Sequence, residues 1–139
     1  WHSTLHTSTD LGGVSIGYGG GGDHWSGPRD WTLDQYAPGA ACINTLAPFR
    51  VSVSFPVDAG GSLEAMEVVL SQDSHSCSLS RSISKYSGMA HISRALAAGM
   101  TPVVSYWSSE DMSWMDGEGA DGRGPCAHDT PGACADYVQ

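Results

Sequence analysis

The chain has 139 residues, a formal net charge of −9, 15% charged residues and 18 glycines. That length bounds it to one domain over 1–139, large enough for a core of its own. Six lysines and arginines are too few to neutralise a phosphate backbone, which excludes nucleic acid and argues against an anionic membrane as partner.

No apolar run approaches membrane-spanning length, so no membrane insertion is expected. Sparse charge with abundant Gly, Ser and Thr suits a β-rich, loop-rich secreted protein, placing the chain outside the cell or in the secretory pathway. It opens on Trp1 rather than Met and shows no signal peptide, so a processed product or fragment is expected.

Residues 1–11, WHSTLHTSTDL, alternate weakly and predict a strand. His2 and His6 stand four apart, but the Ser/Thr-rich context disfavours the helix that would bring them together on a metal. Residues 12–30, GGVSIGYGGGGDHWSGPRD, read as a glycine-rich loop. It lacks the strand-to-helix setting of a phosphate loop. His24, Trp25, Arg29 and Trp31 are available there for sugar contacts or for ordinary packing.

Residues 42–57, CINTLAPFRVSVSFPV, form the clearest strand pattern. Phe49, Val51, Val53, Phe55 and Val57 fall on one face, with Arg50, Ser52 and Ser54 on the other. Asp58-Ala-Gly-Gly61 predicts a turn, and residues 63–70 return as an antiparallel partner. Alternation would put Glu64 and Glu67 on opposite faces. The serine-rich stretch 71–87 reads as a surface loop.

A helix is predicted over 87–98, with Ser87 placed to cap it and Gly99 to end it. Met89, Ile92 and Leu96 give it one apolar stripe. Thr101-Pro-Val-Val-Ser-Tyr-Trp107 then predicts a strand, with Pro102 tolerable only at its start or edge. Trp107 and Trp114 bracket a polar segment holding Glu110 and Asp111. Aromatic faces beside carboxylates and Arg123 suit pyranose binding, since rings stack on C–H faces while charged groups bond hydroxyls. Packing within a core is the competing use of the same rings.

Glu110, Asp111, Asp116, Glu118 and Asp121 crowd one loop, but DGEGADG is off register for an EF-hand, so no metal is assigned. The four cysteines, Cys42, Cys77, Cys126 and Cys134, are an even set in a secreted-like composition, and disulfides are expected. Cys42 is the natural partner of Cys77, tying the serine-rich loop to the hairpin. Cys134 pairs most economically with Cys126.

The runs GMAHISRALAAGMTPVVSYW, MSWMDG and RGPC, together with INTLAPFRVSVSFPVD, resemble the C-terminal half of glycoside hydrolase family 7. Those enzymes are retaining cellobiohydrolases and endoglucanases acting on β-1,4-glucan. The resemblance implies a mainly β fold, part of a concanavalin-like jelly-roll sandwich, with the short helix near 87–98. It implies that His6, Trp107, Trp114 and Arg123 line the substrate, without a cofactor. Thr4-Leu5-His6 is similar to a family Thr-x-His that follows the catalytic Glu-x-Asp-x-x-Glu.

That acidic motif is not in this chain, and no substitute pair with the required ~5–5.5 Å separation is evident. An arginine that the family places between Asp-Trp and Tyr-x-Pro-Gly also has no counterpart between Asp30-Trp31 and Tyr36–Gly39. Ser108 and Ser109 stand where the family has acids. The family instead joins its Arg-Gly-x-Cys cysteine to the missing N-terminal half, which makes Cys134 either a local substitute or an extra thiol.

The chain is therefore expected to be inactive alone, as a fragment or subunit of a β-1,4-glucanase. The alternative is a non-catalytic carbohydrate-binding or accessory subunit. Because a part-sandwich leaves an apolar sheet face open, a missing N-terminal half or another protein is expected to cover it.

Overall fold

In this computed structural model the described residues are 1, 3–7, 18–19 and 30–105. They form a mainly β architecture with one helix. Thr4–Leu5 (β1) pairs antiparallel with Tyr18–Gly19 (β2), and Tyr36–Ala37 (β3) pairs parallel with Ile43–Asn44 (β4). The main sheet is a meander of Arg50–Ser54 (β5), Met66–Ser71 (β6) and Leu79–Ile83 (β7), in the order β5-β6-β7. The helix α1 spans Met89–Ala98.

The β5–β6 hairpin forms where the alternation and turn residues predict it. Asp58 Oδ1 accepts from the N–H groups of Gly60 and Ser62, both at 2.8 Å, and Gly61 takes a φ of 81° that a side chain would disfavour. Register then places Val51 opposite Leu70 and Val53 opposite Val68, which fixes one apolar face. Ser52, Ser54 and Glu67 occupy the other.

The predicted strand over 42–57 is not continuous. Between β4 and β5 the chain turns at residues 45–47, because Asn44 and Gln72 offer its backbone better partners than a ladder. Asn44 Oδ1 accepts from Gly39 N–H at 2.8 Å and Leu46 N–H at 3.1 Å. Buried Gln72 accepts from Asn44 N–H at 2.9 Å and donates to the carbonyls of Asn44, Ala47 and Pro48. One side chain thereby satisfies a whole loop.

The stretch 71–87, expected as loop, contains β7. Leu79, Arg81 and Ile83 alternate onto the inner face, opposite Leu70, Val68 and Met66. Serines between them, and a cation at the central inward position, hide that period from a hydrophobicity reading. Arg81 is accommodated there by Asp30, whose carboxylate lies 3.2 Å away.

Two packed clusters cover the inner face, and half-buried Met66 borders both. One joins Trp31, Ile43, Val68, Leu70 and Leu79, where Ile43 and Leu70 are fully buried. Each of those two side chains contributes about 2–3 kcal/mol by leaving water. Trp1, Tyr36 and Phe49 pack against this cluster, with Trp1 and Trp31 centroids 6.1 Å apart and Tyr36 edge-on to Phe49 at 5.9 Å. The other cluster joins Leu5, Leu63, Ile83, Tyr86 and Ile92.

The apolar stripe of α1 faces that second cluster as predicted: Ile92 is buried, and Met89 and Leu96 pack beside it. Ser93 Oγ accepts from Leu63 N–H at 3.0 Å, fastening helix to hairpin. Gly99 ends the helix with a φ of 99°. The expected Ser87 cap is not formed. Gly88 holds the N-cap position with no side-chain hydrogen bond, since Tyr86 N-terminal to it is drawn into the core.

Residues 101–105 do not form the expected strand. No neighbouring ladder receives them among the described residues, and Val103 and Val104 are 80% and 100% exposed. Cys42 and Cys77 are joined by a disulfide, as expected. Cys126 and Cys134 lie outside the described residues, as do the acids of 110–121.

Candidate functional site

An open cleft of about 500 Å³ lies between β1, α1 and the outer end of the β5–β6 hairpin. Its floor is apolar, from Leu5, Phe55, Met66, Ile92 and Leu96. Its polar edge comes from Thr4, His6, Thr7, His91 and Thr101. The volume lies within the range of small-molecule sites.

Each wall has a local cause. Leu5 of β1 packs into the second cluster, and the two-residue period then turns His6 outward to the rim, where it is exposed. Thr7 is buried and accepts a 3.2 Å hydrogen bond from the hydroxyl of Tyr86, which anchors this segment to the core. Thr4 Oγ1 is buried, with no hydrogen-bond partner among the described residues. On the facing wall His91 precedes buried Ile92, so the helical stripe that packs inward leaves the imidazole exposed. Past Gly99 the chain returns along the cleft through Met100, Thr101 and Pro102.

Among the described residues no carboxylate lines the cleft. Glu67 is exposed on the outer face of β6, where it accepts from Ser54 Oγ at 3.3 Å, and Glu64 lies exposed ahead of that strand. Neither is placed for a paired acid and nucleophile. Among the described residues no group of three or more His, Cys, Asp or Glu is placed to hold a metal ion. Among the described residues the cleft presents two exposed imidazoles and the exposed Thr101 above an apolar floor.

Of the sequence-predicted substrate residues, His6 stands at the rim of this cleft. Trp107, Trp114 and Arg123 lie outside the described residues. Trp31, considered for a sugar contact, is buried in the aromatic cluster and has no free face to offer. Asp30 is buried with it, held by Arg81. His91 was not singled out from the sequence. Its only sequence signal is its place beside Ile92 on a helix whose partner surface cannot be read from one chain.

A second, shallower groove of about 320 Å³ runs between Pro48–Arg50 and residues 71–73. Arg50 and Asp73 give it charge, while buried Gln72 is committed to the loop.

Compared with known proteins, the chain matches no family model, no curated protein and no solved structure.

Proposed function

We propose that this chain supplies a substrate wall of a family 7-like β-1,4-glucanase, binding β-1,4-glucan without hydrolysing it alone. The sheet and helix would then be part of a concanavalin-like sandwich in an extracellular protein. The observation that carries this reading is the cleft. His6, which the resemblance puts beside the substrate, shares it with Thr101–Pro102, the backbone leading toward Trp107. Residues from opposite ends of the described chain thus share one cleft, which supports this reading. The Cys42–Cys77 disulfide is compatible with an oxidising compartment.

A second reading, a non-catalytic accessory subunit, draws on another observation. Val51, Val53, Phe55 and Val57 are 41–55% exposed along one edge of the sheet. An apolar edge of that kind is a surface for another protein.

Titration of the whole chain with cellohexaose, followed by tryptophan fluorescence, tests the first reading. The expected result is a saturable change that is lost in Trp107→Ala and weakened in His6→Ala, with no turnover of the oligosaccharide. Trp31 is buried and should not respond. An unchanged spectrum overturns glucan binding, and hydrolysis above background overturns the role without catalysis.

A further inference from the structure

The outer edge of β5 carries a sequence feature of which only Phe55 also borders the cleft. From Pro48 to Pro56 the chain reads Pro-Phe-Arg-Val-Ser-Val-Ser-Phe-Pro. About Ser52 this is a palindrome, broken only where Arg50 stands opposite Ser54. We propose that β5 is a self-complementary edge on which a second copy of this chain docks, antiparallel, with the two-fold axis through Ser52.

β5 pairs with β6 on one side, and no other strand pairs with it among the described residues. Its outward N–H and C=O groups are then available to another strand. A two-fold contact is isologous, so residue i meets residue j and j meets i. Centred on Ser52, it sets Val51 against Val53 of the second copy, and Phe49 against its Phe55. Val51 and Val53 belong to the apolar face fixed by the Val51–Leu70 and Val53–Val68 register, while Phe49 and Phe55 flank the strand, Phe49 already edge-on to Tyr36.

Val51 and Val53 are each 46% exposed and Phe55 is 41% exposed, so the contact would bury surface that the single chain leaves wet. Prolines at both ends limit the new ladder to the palindrome itself.

The single mismatch is what gives the pairing its charge. Arg50 lies on the polar face with Ser52 and Ser54, and among the described residues no carboxylate forms an ion pair with it. In the two-fold arrangement it sits opposite Ser54 of the second copy. The next position across that sheet on the same face is Glu67, already bonded by Ser54 Oγ at 3.3 Å. Arginine and glutamate side chains together reach across one intervening strand, since neighbouring strands are about 4.8 Å apart. Symmetry makes this contact twice. Other registers lose the Val–Val and Phe–Phe matches together with the charge match.

A strand pair this short forms a small interface, so the dimer is expected to dissociate in the micromolar range. Sedimentation velocity on the whole chain from about 1 to 300 µM brackets such a range. The expected result is a monomer–dimer equilibrium. It should weaken at least about tenfold in Arg50→Glu, which places like charges together at both symmetric contacts, and recover in Arg50→Glu/Glu67→Arg. Both positions are exposed, and circular dichroism verifies that the variants keep the fold. A second variant, Val53→Lys, should abolish association. A chain that stays monomeric over the whole range overturns the proposal. So does a dimer indifferent to Arg50 and Val53, or a variant pair in which the charge swap restores nothing. These readings concern association state alone and stand or fall independently of cellohexaose binding.

Discussion

Arg81 on β7 donates from Nη2 to the main-chain oxygen of Asp30 at 2.8 Å, while its Nε lies 3.2 Å from Asp30 Oδ1. The Asp30 carboxylate has no exposure and Arg81 retains 31%. The Nε contact has ion-pair distance without hydrogen-bond alignment, so charge attraction holds it. This pair pins the segment carrying Trp31 against the middle of the main sheet.

Removing the cation alone leaves a buried carboxylate with no other ion-pair partner among the described residues. Arg81→Met should cost about 2–4 kcal/mol, the partial exposure of Arg81 lowering the figure from that of a fully buried pair. Adding Asp30→Asn should recover much of the loss, because the charge that needed a partner is gone. Urea unfolding of both variants and of Asp30→Asn completes the cycle. A double-variant loss equal to the sum of the two single losses would show that the pair is not coupled.

The Cys42–Cys77 bridge spans 35 residues, enclosing β5, β6 and the turn between them. Loop closure of that length restrains the unfolded chain by about 4 kcal/mol. Cys42→Ser/Cys77→Ser should lower the urea midpoint accordingly while leaving the far-ultraviolet spectrum native at low denaturant. An unchanged midpoint would mean that the unfolded chain is already compact.

Gly88 is held by its neighbour. A Cβ built there would lie 2.6 Å from the Tyr86 hydroxyl, against the ring that fills the second cluster. Gly88→Ala should therefore displace Tyr86, stretch its 3.2 Å hydrogen bond to Thr7, and cost about 1–3 kcal/mol. Gly39→Ala supplies a comparison, because its Cβ would meet nothing within 4 Å and only its φ of 74° is strained. Thermal unfolding of the two should place Gly88→Ala lower.

Burial raises the Tyr36 hydroxyl above its ordinary value of 10.0. The folded chain thus holds that proton more tightly than the unfolded chain does. The sign follows: stability from this group is complete below pH 10.0, then falls as pH rises through the folded-state value. Tyr36→Phe should flatten the alkaline limb of a stability-against-pH curve relative to the parent. If both curves fall alike above that pH, Tyr36 does not contribute to the limb.

The hairpin, the helix and the first disulfide were legible because each is specified locally. Alternating Val51 and Val53, the Asp58–Gly61 turn, and Met89, Ile92 and Leu96 at helical spacing need no distant partner to be recognised. β7 was not legible, since Arg81 occupies an inward position and only Asp30, far back in the chain, makes that tolerable. The break after Asn44 was hidden likewise: Gln72 supplies its hydrogen bonds from 28 residues away. At the cleft, His6 could be named from Thr4-Leu5-His6, whereas His91 needed the helix to be docked.

The sequence by itself determined the periods of the β5–β6 hairpin and of the helix, and the cysteine pairing at Cys42 and Cys77. Those are properties of residue type and spacing. Tertiary structure decided which faces are covered. Trp31 became core and His6 became rim; the β5 valines were left partly open although their register partners Leu70 and Val68 are buried. Alternation assigns a residue to a face, but only the elements packed against that face decide whether it meets protein or water.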